Sequence, residues 1–161
     1  MKRFLIAAAA VSTLVAAPAF AQDFSGPRVG VELGMFGDDV FSTQDTTYGV
    51  NVGYDYDLGS TVFGVTGSYT GIFNDNNADF RELGISARAG IKPGASTLVY
   101  GTAGYSNIDT DFISGSLDGV KVGLGVEQSF GNLFANVETR YGNYEAGVET
   151  YQTVLGVGYR F

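Results

Sequence analysis

Nine charged side chains dominate the chemistry that this sequence could perform. Glu32, Glu82, Arg88, Lys121, Glu127, Glu138 and Arg140 fall on the polar face of alternating segments, with Arg28 and Arg160 near the outer ends of the first and last. Neighbouring side chains of a strand point to opposite faces, so each charge is directed away from its apolar neighbours. Carboxylates interleaved with arginine and lysine favour ion pairing over proton transfer. A carboxylate between two cations bridges what would otherwise repel. If the segments around 118–128 and 133–141 pair about Phe130 and Gly131, Glu138 lies diagonally across from Lys121 and two residues from Arg140. Such a network could act as a gate, as a narrow polar conduit or as a plug that satisfies a buried polar interior. A plug is the expectation, because side chains about fill an interior of eight strands.

Other chemistry has little to work with. The chain has no cysteine and no histidine, which removes disulfides, thiolate sites and imidazole-based triads. Ser42, Ser60, Ser68, Ser106 and Ser114 have no histidine to activate them. Asp38-Asp39 is the nearest carboxylate pair, but it sits in a connection without a visible supporting shell. Asp45, Asp75, Asp79, Asp109, Asp111, Glu145 and Glu149 make the longer connections acidic. Their spacing matches no calcium motif. The expectation is therefore no enzyme, no cofactor and no metal site. Catalysis by histidine apart, an acidic balance also argues against nucleic acid, which selects a basic face.

The elements that position these charges are strands. Eight alternating segments run at about Arg28–Phe36, Thr47–Asp57, Thr61–Ile72, Phe80–Ile91, Thr97–Ser106, Asp118–Gln128, Leu133–Tyr141 and Tyr151–Phe161. In the sixth, Val120, Val122, Leu124 and Val126 oppose Gly119, Lys121, Gly123, Gly125 and Glu127. The fifth has no clearly apolar face, and its facing stays unassigned. Each segment is near the ~9–11 residues that a tilted membrane strand needs. Asp57-Leu58-Gly59-Ser60, Lys92-Pro93-Gly94-Ala95-Ser96 and Ser129-Phe130-Gly131-Asn132 predict tight turns. About Gly37–Thr46, Phe73–Asp79, Asn107–Leu117 and Gly142–Gly147 predict longer loops at the other rim. A two-residue loop at Leu58 and Gly59 would set Tyr54 against Phe63 and Val52 against Val65. The other tight turn would set Leu124 against Val137 and Gly123 against Glu138. Both registers keep apolar with apolar.

Alternation alone does not say which face is outside. A soluble, exported lipocalin-like binding barrel has the reverse polarity. Glycine decides against it: Gly30, Gly49, Gly53, Gly84, Gly123, Gly125, Gly156 and Gly158 crowd the polar face, which suits a narrow interior better than a solvated exterior. Tyrosine and phenylalanine gather near the segment ends, as interface girdles do. The amino terminus predicts export. Met1-Lys2-Arg3 precedes an apolar run from Phe4 to Val15, and Ala19-Phe20-Ala21 is a small-x-small cleavage site. Residues 1–21 are expected to be a cleaved signal peptide and 22–161 the barrel domain. Loss of Lys2 and Arg3 leaves seven basic residues against 17 acidic ones, about −10 in net charge.

The Val29-Gly30-Val31 opening, the Lys121-Val122-Gly123-Leu124-Gly125-Val126-Glu127 strand and the close Leu155-Gly156-Val157-Gly158-Tyr159-Arg160-Phe161 carry a family likeness. Over Gln22 to Phe161 the chain resembles the small eight-stranded outer-membrane barrels that include the opacity-type porin family and the membrane domain of outer membrane protein A. The resemblance implies an all-β, antiparallel, up-and-down transmembrane barrel in the outer membrane of a Gram-negative-type bacterium, with both termini periplasmic. It implies a monomer in contact with outer-membrane lipid and lipopolysaccharide, assisted during biogenesis by periplasmic chaperones and the barrel assembly machinery. Tyr159 and Phe161 would form the assembly signal. The expected role is structural or adhesin-like, with a host or environmental ligand at the loops. A narrow porin for small solutes is the alternative.

Overall fold

Period-two alternation becomes paired strand along most of the chain. The computed structural model describes residues 23–38, 44–73, 80–110 and 116–161. Its strands are β1 (Gly26–Asp38), β2 (Gln44–Asp57), β3 (Thr61–Ile72), β4 (Phe80–Ile91), β5 (Thr97–Thr110), β6 (Ser116–Phe130), β7 (Leu133–Tyr144) and β8 (Val148–Arg160). Each pairs antiparallel with its sequence neighbours, and β1 pairs with β8 to close the barrel. Closure leaves no strand edge, so backbone groups are satisfied within the sheet. Ala19 and Ala21, with the rest of residues 1–22, lie outside the described residues, as do parts of three of the longer connections.

The apolar faces point outward. Val29, Val31, Leu33 and Met35 of β1 are exposed, whereas Arg28 just before them and Glu32 among them are buried. On β6, Leu124 is 75% exposed beside a fully buried Glu127. The polarity is that of a barrel in lipid and the reverse of the lipocalin arrangement. β5 turns Leu98, Tyr100, Ser106 and Ile108 inward and Val99 and Tyr105 outward. Its facing was illegible because its inner residues change from apolar at one end to hydroxyl-bearing in the middle.

Two registers differ from expectation by two residues each. Tyr54 lies opposite Val65, not Phe63, and Asp57 opposite Val62. There the turn is wider: Leu58 N–H donates to the Thr61 carbonyl (2.8 Å), and Gly59 N–H donates to Asp57 Oδ1 (2.8 Å). Between β6 and β7, Phe130 pairs with Leu133, so the two-residue loop is Gly131-Asn132. Gly131 supplies the positive φ of 69° that this tight loop requires. Leu124 therefore faces Thr139, and Gly123 faces Arg140. An even slip preserves which face looks inward, so the lumen's membership is unchanged.

The strands also run further than expected at the rim opposite the tight turns. β5 reaches Thr110 and β7 reaches Tyr144. Instead of a loop at Gly142–Gly147, only a 3-10 turn, Glu145–Gly147, joins β7 to β8. Hydrophobic alternation fades where both faces meet water, while backbone pairing continues.

Candidate functional site: the lumen

The lumen is built by matching large inward side chains to glycines on the next strand. Tyr100 lies between Gly90 and Gly125, and Glu32 between Gly49 and Gly156. A Cβ at Gly125 would stand 2.5 Å from Tyr100 Cζ, and one at Gly49 would stand 2.8 Å from Glu32 Cγ. The glycine-rich polar face is thus the space into which its few large residues fold.

At the tight-turn end, four even-numbered strands each send one charge to the axis, alternating in sign. Asp55 comes from β2, Arg88 from β4, Glu127 from β6 and Arg160 from β8. Arg88 bridges Asp55, through Nε to Oδ1 (2.8 Å) and through Nη2, and donates Nη1 to Glu127 Oε2 (2.8 Å). Arg160 Nη2 reaches Glu127 Oε1 (2.7 Å) and Asp55 Oδ2 (3.1 Å). These four pairs form a closed ring. Arg28 Nε adds a fifth contact to Asp55 (3.2 Å), and its Nη2 donates to Thr66. Asp55 and Glu127 are both fully buried. Phe24, Val62, Leu98 and Tyr100 form an apolar cluster against the ring, with Arg88 over the face of Tyr100 at 5.1 Å.

Further along the axis, Arg140 grips Glu32 with two parallel bonds (2.7 and 2.9 Å) and donates Nε to Glu138 Oε1 (2.9 Å). Planar forks of this kind are among the strongest side-chain pairings. Glu138 also accepts from Thr102 (2.9 Å) and Tyr100 (3.0 Å). Lys121 does not approach Glu138 as expected. It lies opposite Gly142 and bonds to Glu82, a consequence of the two-residue register difference. A cavity of about 60 Å³ remains among these groups. Glu82 Oε2 and Asn51 Oδ1 are buried without a protein donor, and such sites ordinarily hold water.

All nine charged residues singled out from the sequence, Arg28, Glu32, Glu82, Arg88, Lys121, Glu127, Glu138, Arg140 and Arg160, lie in this interior as pairs or rings. Asp55 was missed, although its parity with Asn51 and Gly53 places it on the same face. Tyr100 and Phe24 carried no usable signal. Outside, the rings of Tyr159 and Phe161 meet edge to face at 5.0 Å. Among the described residues, no group of three or more acidic side chains could hold a metal ion.

A family model for the outer membrane protein beta-barrel domain matches residues 7–161. The chain belongs to that family. Its place is accordingly the outer membrane of a Gram-negative-type bacterium. No curated protein sequence matches significantly. Among solved structures, the N-terminal barrel domain of Pseudomonas aeruginosa OprF shares 19% identity, with 83% of this chain and 97% of that one covered and a TM-score of 0.62. Neisserial surface protein A gives 16%, 84%, 96% and 0.58. Ail, the attachment invasion locus protein of Yersinia pestis, solved with the heparin analogue sucrose octasulfate, gives 20%, 85%, 97% and 0.58. At these identities the likeness is one of fold. In this outer-membrane barrel, the outward valines and leucines are the lipid face.

Proposed function

We propose that this outer-membrane barrel is a closed structural scaffold that displays recognition loops, adhesin-like in role and without catalytic activity. The ring of Asp55, Arg88, Glu127 and Arg160 carries the reading. It ties four non-adjacent strands together across the axis, so the same side chains that brace the wall occupy the path. The tight-turn end then faces the periplasm, with Phe161 exposed there for the assembly machinery. Chaperones would act before insertion, and the inserted barrel would be a monomer in contact with lipopolysaccharide. A rigid cylinder presents variable connections without distorting them.

The exposed carboxylates Asp109, Glu145 and Glu149 give the opposite rim a negative field. That favours cationic or cation-bridged partners and disfavours polyanions such as the sulfated sugar on Ail. Purified protein in planar bilayers tests the closed lumen. Silence is expected, whereas reproducible small conductance steps would turn the reading to a narrow porin whose path includes the mid-lumen cavity. Exchanging the four connections one at a time for Gly-Ser tests recognition. At least one exchange should abolish attachment of displaying bacteria to cultured host cells, and no change in any would leave a purely structural role.

A further inference from the structure

Among the described residues, the apolar cluster at the floor of the lumen contains one side chain that no strand supplies. β3, β5 and β7 each turn an apolar residue inward at the tight-turn end: Val62, Leu98 and Phe134. β1 has Gly26 on its inward face at that level and so offers nothing. Phe24 fills the place. It precedes β1 and belongs to no strand, yet it is fully buried. Its ring lies 4.9 Å from the guanidinium of Arg160 and 5.6 Å from Lys92 Nζ, distances at which a cation is attracted to an aromatic face. The same Arg160 is a member of the charged ring, so Phe24 covers that ring from below.

Little backbone holds this residue in place. Phe24 N–H donates to Asp57 Oδ2 (3.1 Å), Asp57 N–H donates to Ser25 Oγ (3.1 Å), and Lys92 bonds to the same carboxylate. Gly26 follows with a φ of 122°, a bend that residues with side chains rarely adopt. Segments outside a ladder, held by side-chain bonds, are where native proteins open at least cost to the rest of the fold.

We propose that Asp23–Ser25 is a latch whose Phe24 seals the lumen at the tight-turn mouth. Seated, it keeps the charged ring dry. Unseated, it admits water and small solutes to the ring from that side only. The proposal rests on the closed-lumen reading but is tested separately.

The chain has no cysteine, so a single introduced thiol reports local access. Ser129 is buried beside Arg160 Nη1 (3.4 Å) at this mouth, whereas Ser106 is buried in the other half of the barrel against Tyr144 (2.8 Å). Ser129→Cys and Ser106→Cys are each made with and without Phe24→Ala, refolded in detergent, checked for folding by heat-dependent gel mobility, and labelled with a small charged methanethiosulfonate. Labelling at 129 should rise at least about tenfold with Phe24→Ala while labelling at 106 stays unchanged. No rise at 129 overturns the latch. An equal rise at both positions also overturns it, because that reports a generally loosened barrel. The single-channel recording separates the two readings: a conducting wild type would refute the plug and the seal together, whereas a silent wild type with no rise at 129 would overturn the latch and leave the plug.

Discussion

Replacing Asp55 by Asn tests the ring at its most loaded point. Arg28, Arg88 and Arg160 all converge on this carboxylate, and among the described residues Glu127 is the other anion that Arg88 and Arg160 share. Three cations face two anions in the wild type, and they would face one in the variant. The amide keeps the shape of the carboxylate but replaces one acceptor with a donor aimed at arginine donors. Water cannot easily repair the loss, because Asp55 is fully buried between the apolar floor and the rest of the network. Removing one partner of a buried ion pair costs about 3–5 kcal/mol, mostly through the charge left behind.

Urea unfolding in lipid vesicles measures the loss, read by the gel mobility of folded and unfolded forms and by tyrosine fluorescence, since the chain has ten tyrosines and no tryptophan. Glu149→Gln on the exposed rim is the control and should stay within about 0.5 kcal/mol of wild type. Adding Arg28→Gln to Asp55→Asn removes one surplus cation and should recover on the order of 1 kcal/mol as a coupling energy. A loss for Asp55→Asn no larger than that of the rim control would refute the claim that the ring is a buried, mutually dependent unit.

Charge reversal at Glu138 should lower the melting temperature without opening a conducting path, because it sets a buried cation against Arg140, which keeps its fork to Glu32, while leaving the lower ring intact; an unchanged melting temperature would count against the plug. Gly125→Val should destabilise the barrel by about 1–3 kcal/mol in the same urea assay, since even its Cβ would stand 2.5 Å from the Tyr100 ring, whereas Gly94→Ala, at an open turn, should be neutral. Leu124→Arg on the lipid face should cost about 2–4 kcal/mol in vesicles if Leu124 sits near the bilayer midplane, and no cost there would contradict the outward polarity.

Facing was legible in the sequence because parity is strict and glycine marks the crowded side. Partner choice was not, for a geometric reason. Sequence patterns report ladder neighbours, but Arg88 on β4 meets Asp55 on β2 and Glu127 on β6 across the axis, each with a whole strand between them in the wall. Lys121 shows the same limit from another side: two residues of register moved it from Glu138 to Glu82 while leaving it in the lumen. Asp55 is legible in the sequence only as one more polar-face residue, because nothing in a ladder pattern says that arginines from three other strands converge on it. Phe24 lacked any periodic context, and only the three-dimensional gap beside Gly26 gives it meaning.

The alternating quartet at the barrel's base also counts strands. Each of its charges arrives with a different hairpin, and the last, Arg160, arrives only with β8. Without β8, Asp55 and Glu127 would keep Arg28 and Arg88 but lose the guanidinium that joins them a second time across the axis. Completion of the wall and closure of the hydrogen-bonded circuit at its centre are therefore one event, which gives the final strand a polar reason to dock and the half-built cylinder a reason not to persist.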